Sequence, residues 1–278
     1  MKEKNKDTSF GLFVFRTLSL IAIVICLIIL LIWMKDNKAN DSIQSELEYL
    51  VTTEEIENDK NEVIILNENI LNEDGYIKET IDDNSNNLNI NVDFDILSQK
   101  NPDTVGWVAF QNLNINYPIV QSKDNTFYLT HNFYKDKNSA GWIFGDAIND
   151  FNILDKNTIV YGHNRRNGTM FSKLNNYLNK DFCQDENNHT FLFATKQGTY
   201  KATIFSAYKV KAEGFTIKTN FESEISFFDY LKDLQQKSNY NFNNIVSPND
   251  KIISLCTCDN NNKYRIVVHA KLKYIPEQ

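Results

Sequence analysis

An uncharged apolar run near the N-terminus constrains this chain more than any other feature. Residues 17–34 carry no charged side chain over eighteen positions. A helix of that length spans a bilayer, and Trp33 near its end suits the interface. A cleaved signal peptide is the alternative, but the run is long and no small-x-small cleavage site follows it. Because Lys2, Lys4, Lys6 and Arg16 precede the run, we expect residues 1–16 in the cytoplasm and residues 35–278 outside a single-pass anchor.

Charge is distributed unevenly in the rest of the chain. The 278 residues have a net charge of −7, which argues against nucleic acid as a partner because no basic excess is present to neutralise phosphates. Sixteen acidic residues fall between Asp41 and Asp95, against two lysines. We therefore interpret residues 35–91 as an acidic stalk or linker with some helix, and residues 92–278 as the folded domain.

From residue 92 the chain alternates short apolar segments with polar turns. Several segments show the period-2 pattern and β-branched composition of strands, and the turn at 196–198 predicts a hairpin. Helical spacing predicts a short helix near 92–97 and longer ones at 169–180 and 221–236. Seven or eight strands with two or three inserted helices predict a mainly-β barrel or sandwich. The predicted strands are 105–110, 115–120, 141–144, 158–161, 190–194, 199–210, 252–258 and 265–268.

The last strand pair brings together residues suited to acyl chemistry. The strand ending at Cys258 is followed by a polar loop, and Arg265 begins the returning strand. A thiol at a strand end is a candidate nucleophile, and a guanidinium offers a planar set of donors to a developing oxyanion. A buried structural cysteine and a surface ion pair are the alternatives for these two residues.

A thiol nucleophile needs a partner that takes its proton, and the chain has four histidines. We favour His163, which ends a strand and opens a polar loop, over His131. His189 lies in a predicted turn, and a satisfied or outward-facing imidazole is the better interpretation of His269 within a strand. No metal-ligand spacing, phosphate loop or dinucleotide fingerprint occurs, so we expect neither a metal nor a cofactor.

Several ordered motifs lie between residues 92 and 272 and together resemble those of a known enzyme family. Ser254-Leu-Cys-Thr-Cys258 followed by Arg265 resembles the sortase cysteine motif, and Val160-Tyr-Gly-His163-Asn164 resembles the histidine segment. The segments at 101–107, 115–121 and 124–129, and the helix near 221–236, are similar to class B members in particular.

The resemblance implies a closed β-barrel and a cysteine transpeptidase on the outer face of a Gram-positive cell. Cys258 would be the nucleophile, His163 the general acid/base and Arg265 the oxyanion donor. The enzyme would cleave a C-terminal sorting signal at a Thr–X bond and pass the surface protein to an amine of peptidoglycan or its precursor. Four further positions match residues of the signal-binding groove: Asn125, Leu129, Tyr161 and Cys256.

Two departures from the family motif and two rival functions stay open at this stage. Ser254 replaces a threonine, and Cys256 stands where class B members often have serine, which leaves a second thiol beside the candidate nucleophile. A cysteine peptidase that hydrolyses its acyl-enzyme is one rival. A membrane-anchored thiol-redox or binding module that uses Cys256 and Cys258 is the other.

Overall fold

A single helix connects the apolar N-terminus to the folded part of the chain. The computed structural model describes residues 4–55, 88–213, 215–258 and 263–276, and for residues 4–9, 11, 52–55, 88–89 and 258 it describes the backbone alone. Helix α1 runs through Lys4–Glu48, and its stretch from Leu12 onward is long and apolar enough to cross a membrane. Much of the expected stalk at 35–91 lies outside the described residues.

The folded part is a closed barrel in which strands far apart in sequence are neighbours. The order around the barrel is β10-β8-β7-β3-β4-β5-β6-β9, which confirms the predicted eight-stranded closed barrel. A separate two-stranded sheet, β1 with β2, precedes it. The strands are β1 Val51–Glu55, β2 Leu88–Val92, β3 Thr104–Phe110, β4 Ile115–Val120, β5 Phe144–Gly145, β6 Asn157–Gly162, β7 Thr190–Thr195, β8 Gly198–Lys211, β9 Lys251–Cys258 and β10 Tyr264–Ile275.

Closure depends on a parallel pair that no local sequence pattern reveals. Strand β6 pairs parallel with β9, from Asn157 opposite Ile252 to Gly162 opposite Thr257. Strand β10 pairs antiparallel with both β9 and β8. Period-2 alternation sends one face of each strand into the barrel, where large side chains fill the interior. Buried members of this core include Trp107, Tyr117, Trp142, Phe171, Phe193 and Leu255.

The second half of α1 packs on the barrel instead of standing away from it. Ile43 and Leu47, one turn apart, are buried against the core. Asn40 Nδ2 donates to the carbonyl of Gly141 at 3.0 Å, and Lys100 forms an ion pair with Glu46 at 2.7 Å. Helix α1 therefore packs against the folded part of the chain through residues 36–47.

The inserted helices are α2 Phe94–Lys100, α3 Lys180–Gln184 and α4 Glu224–Lys237. Helix α4 is the predicted helix before β9; a capping box between Ser223 and Ser226 starts it, and Phe227, Leu231 and Leu234 are buried.

The continuous helix predicted at 169–180 is wrong. Met170 has a left-handed φ of 55°, and the chain forms 3₁₀ turns over Ser172–Leu178 before α3. Asn175 donates to the carbonyl of Ser172, and Asn179 accepts from the amide of Asp181. These local side-chain bonds compete with a regular α-helix.

Candidate active site

Three strand ends meet at one rim of the barrel and carry the three predicted reactive residues. Arg265 at the start of β10 is the direct partner of Cys258 at the end of β9. His163 immediately follows β6, whose last residue, Gly162, is opposite Thr257. The register therefore brings the backbones of His163, Cys258 and Arg265 to adjacent strand ends. We call this place the rim.

His163 is half-buried, and its imidazole forms one hydrogen bond with the described residues. Its Nε2 lies 2.8 Å from the carbonyl oxygen of Leu129. A carbonyl can only accept, so Nε2 carries the proton and Nδ1 is the nitrogen that can exchange one. Burial lowers the pKa of His163 below its usual value, the bond to Leu129 opposes that change, and the nearby charge of Arg165 lowers the pKa further. The imidazole is therefore neutral at pH 7.

A glycine allows the loop before β5 to approach His163 closely. Gly141 has a φ of +60°, a conformation that side chains strain. A Cβ there would lie 2.8 Å from His163 Cδ2 and 2.6 Å from the carbonyl oxygen of Tyr128. The close approach fixes the turn whose Leu129 carbonyl binds His163. Since α1 contacts this same glycine through Asn40, the helix also supports the histidine loop.

The four predicted groove residues lie on β6, on β9, and at or just before the 3₁₀ turn whose Leu129 carbonyl binds His163. Leu129, 38% exposed, ends the 3₁₀ turn Phe127–Leu129. Tyr161 is half-buried on β6 and lies opposite Cys256 on β9. Asn125 is exposed before the 3₁₀ turn, and its Nδ2 lies 3.0 Å from Asp146 Oδ2. The same carboxylate oxygen is 2.8 Å from the hydroxyl of Tyr161.

Asp146 and Gly141 are site features that the sequence analysis missed. Asp146 lies in the turn 145–150 beside other polar residues, and nothing in its local pattern separates it from a solvated loop carboxylate. Only the pairing of β5 with β6 shows that it faces Tyr161.

The cysteines differ in their surroundings. Cys256 is buried, with 3% of its surface exposed, and forms no disulfide. Cys183 is buried in helix α3, and this burial raises the pKa of its thiol to about 11. A thiol with so high a pKa is a poor nucleophile at neutral pH.

The remaining histidines have structural contacts. His131 stacks on Phe127 at a ring distance of 4.1 Å, and His189 Nε2 lies 2.7 Å from the carbonyl oxygen of Cys183. His269 is fully buried beside Ser254. Among the four histidines, all of which are described residues, only His163 directly follows a strand that pairs with β9.

Comparison with known proteins decides the family. The family model described as the sortase domain matches residues 108–273. The chain belongs to the sortase family. It is 42% identical over 179 residues to sortase B of Listeria monocytogenes, a match that covers 63% of this chain and 72% of that protein.

Solved class B sortases have the same fold as this sortase. The Staphylococcus aureus sortase B–substrate complex is 34% identical, has a TM-score of 0.63 and covers 66% of this chain and 85% of that one. Sortase B from Bacillus anthracis is 29% identical, has a TM-score of 0.68 and covers 87% of this chain and 100% of that one. The chain is thus a class B sortase, a cysteine transpeptidase, and neither rival function is favoured.

Proposed function

We propose that this sortase uses Cys258, His163 and Arg265 to cleave a sorting signal at a Thr–X bond and to join the threonyl carboxyl to an amine of peptidoglycan or its precursor. The observation that carries the assignment is the register of β6, β9 and β10, which brings these residues to adjacent strand ends. The resemblance of the cysteine and histidine motifs to those of the family supports it.

The neutral imidazole suits the first half of this reaction. Cys258 Sγ attacks the threonyl carbonyl carbon while its proton passes to His163 Nδ1. Arg265 donates hydrogen bonds to the carbonyl oxygen as negative charge develops there. The C–N bond then breaks, the leaving amine takes the proton from His163, and a thioester remains on Cys258.

The second half reverses the proton transfers. An incoming amine attacks the thioester and gives a proton to His163, the C–S bond breaks, and the thiol regains its proton. The signal-binding groove would be formed by Asn125, Leu129, Tyr161 and Cys256.

We also propose that α1 anchors the enzyme with its N-terminus in the cytoplasm and the barrel outside. The support is the basic segment before the apolar run and the exposed apolar surface of α1 from Phe10 to Met34. Protease added to sealed, right-side-out vesicles should then digest the barrel and leave an epitope at the N-terminus intact.

Mass spectrometry of the full-length enzyme in detergent tests the reaction. Incubated with peptides that carry a fixed threonine in varied flanking sequence, the enzyme should form a thioester on Cys258, and added triglycine should convert it to a ligated peptide. A hydrolytic peptidase would yield only the free acid, whatever amine is added.

Two variants serve as controls. Cys258→Ala should give neither thioester nor product, whereas Cys183→Ala should behave as the parent enzyme does. Product formation by Cys258→Ala would refute the assignment of the nucleophile.

A further inference from the structure

Asp146 is a buried carboxylate at the edge of the proposed groove. Only 7% of its surface is exposed. Its backbone amide donates to the carbonyl of Ile159 at 2.9 Å, which fixes the residue beside β6. A buried carboxylate is costly unless hydrogen bonds satisfy it. The partners of the Asp146 carboxylate therefore indicate which neighbouring residues it holds in place.

Most of those partners are groove side chains. Oδ2 accepts from the Tyr161 hydroxyl at 2.8 Å and from Asn125 Nδ2 at 3.0 Å. Oδ1 accepts from the amide of Ile148 at 3.1 Å, a bond within its own turn. One carboxylate thus joins two residues that are separated by 36 positions in sequence and that both match family groove positions.

The carboxylate determines what Tyr161 can offer a ligand. An ionised carboxylate only accepts hydrogen bonds, so the Tyr161 hydroxyl must donate its proton to it. The free lone pairs of that hydroxyl can then only accept. Burial raises the pKa of Tyr161, and the charge of Asp146 raises it further, so the phenol keeps its proton at neutral pH.

The carboxylate also determines the orientation of the Asn125 amide. Asn125 Nδ2 must face Asp146, because Asn125 Oδ1 accepts from the amide of Ala147 at 2.8 Å. One Nδ2–H remains to donate to a ligand. The groove edge therefore presents one acceptor, Tyr161 Oη, and one donor, Asn125 Nδ2–H.

We propose that Asp146 is a positioning residue that fixes this hydrogen-bond polarity, so that an extended peptide donates an N–H to Tyr161 and accepts from Asn125. The inference rests on the proposed function, since the ligand is the sorting-signal peptide. It adds a residue that touches no substrate and acts through two that do.

A neighbouring carboxylate offers a matched control. Asp155 Oδ2 accepts from Asn149 Nδ2 at 2.7 Å and from the amide of Asp150 at 3.0 Å. Asp155 thus holds the same connection between β5 and β6, yet neither of these partners is a groove residue. Asp155→Asn measures the cost of weakening the connection alone.

The test compares Asp146→Asn with Asp155→Asn in the full-length enzyme. Asp146→Asn keeps the shape but replaces one carboxylate oxygen by a donor, so Tyr161, Asn125 and the amide of Ile148 can no longer all donate to this side chain. We expect its KM for a cleaved peptide to rise about tenfold, the size of one lost or mismatched hydrogen bond. Its kcat should stay within about twofold, and alkylation of Cys258 by iodoacetamide should keep the parental rate. Asp155→Asn should leave KM unchanged.

A double-mutant cycle separates positioning from general support. If Asp146 acts partly through Tyr161, Asp146→Asn should raise KM much less in a Tyr161→Phe background than in the parent. Equal effects in both backgrounds, or the same rise in KM for Asp155→Asn, would overturn the proposal.

Peptide binding to Cys258→Ala keeps this test separate from the reaction itself. Fluorescence anisotropy of a labelled sorting-signal peptide requires no turnover. If the parent enzyme makes no thioester on Cys258, the proposed function fails, while weaker peptide binding by the Asp146→Asn/Cys258→Ala variant still supports the positioning role. Unchanged binding in that variant would refute it.

Discussion

Strand β9 contributes a possible nucleophile to each of two pairs with a histidine from a neighbouring strand. The two pairs are similar in composition and differ in their exposure to solvent. At the rim, Cys258 ends the strand beside His163. Four residues earlier, Ser254 Oγ lies 2.7 Å from Nδ1 of His269, a serine–histidine pair with the spacing of a nucleophile and its base. His163 is half-buried, whereas Ser254 and His269 are completely buried.

We use the name buried layer for four side chains: Asn157, Tyr208, Ser254 and His269. Their hydrogen bonds leave no nitrogen of His269 able to take the proton of the Ser254 hydroxyl. Asn157 Nδ2 donates to the carbonyl of Lys218, so its Oδ1 faces Ser254 and accepts from that hydroxyl at 2.7 Å. His269 Nδ1 must then donate to Ser254, and His269 Nε2 accepts from Tyr208 at 3.2 Å. Every polar atom of the pair has a partner.

The rim differs because one nitrogen remains available. His163 donates through Nε2 to Leu129, and its Nδ1 has no hydrogen-bond partner among the described residues. The comparison teaches that access and a free lone pair, more than the residue types, separate a reactive histidine from a structural one. Each prediction below challenges that distinction.

The largest expected effect is on turnover at the rim. We predict that His163→Gln lowers kcat for peptide cleavage about 10²–10⁴-fold, the usual contribution of a general acid/base. The free energy of unfolding should change little, because glutamine can still donate to the Leu129 carbonyl. Steady-state cleavage and urea denaturation measure the two quantities.

His131→Gln is the control, since His131 was the other candidate base in the sequence. It should retain parental kcat. A folded His163→Gln enzyme with normal turnover would show that the rim histidine is not the base.

In the buried layer the loss should appear in stability. His269→Ala removes a buried ring, takes one of two hydrogen bonds from the Ser254 hydroxyl and takes the imidazole partner from Tyr208, which we expect to lower the free energy of unfolding by about 2–4 kcal/mol. Among molecules that remain folded, kcat should be within about threefold of the parent. Urea denaturation with active-site titration by a thiol reagent measures both, and a stable but inactive variant would contradict the structural role.

How much of this arrangement can be predicted from the sequence depends on how far apart in the chain the interacting residues lie. The rim residues are predictable because each stands where a period-2 apolar segment meets a polar loop, and loops at strand ends present reactive groups. The parallel pairing of β6 with β9 is not, because it joins residues about ninety-five positions apart. Without it, Asn157 cannot be named as the partner that accepts from the Ser254 hydroxyl.

Two further features were missed for a similar reason. The polar residues of 36–47 suggested a stalk, because the backbone groups that they bind, such as the carbonyl of Gly141 and the amide of Ser139, lie about a hundred positions later. Asp146 looks like any acidic loop residue until β5 is placed beside β6. Both are cases in which tertiary partners, absent from the local pattern, determine the role of a polar side chain.

The buried layer should also make stability sensitive to acid. Burial, together with the smaller effect of the Lys237 charge, lowers the pKa of His269 to about 3. The unfolded state, with a pKa of about 6.5, therefore binds a proton below pH 6.5 that the folded state refuses, so stability rises with pH across this window. At pH 5 the loss from this residue should be about 2 kcal/mol relative to pH 7.5.

The difference between the parent and a His269→Gln variant isolates this contribution, because the carboxylates titrate alike in both. The parent should lose about 2 kcal/mol more than the variant when urea denaturation is repeated at pH 5. Identical losses would mean that His269 is not held neutral by burial.

The smallest expected effect concerns the second thiol of β9. Cys256 is buried opposite Tyr161, one step inside the rim, and lies two residues from Cys258 on an extended strand, where a bridge between i and i+2 is strained. We predict that Cys256→Ala lowers kcat/KM less than about tenfold, the size expected for a truncated groove wall. Cys258→Ala should lose all detectable cleavage. If the two variants were equally inactive while both stayed folded, the thiols would act together. The reactive part of β9 would then include Cys256 as well as Cys258, and only the residues before Cys256 would be structural.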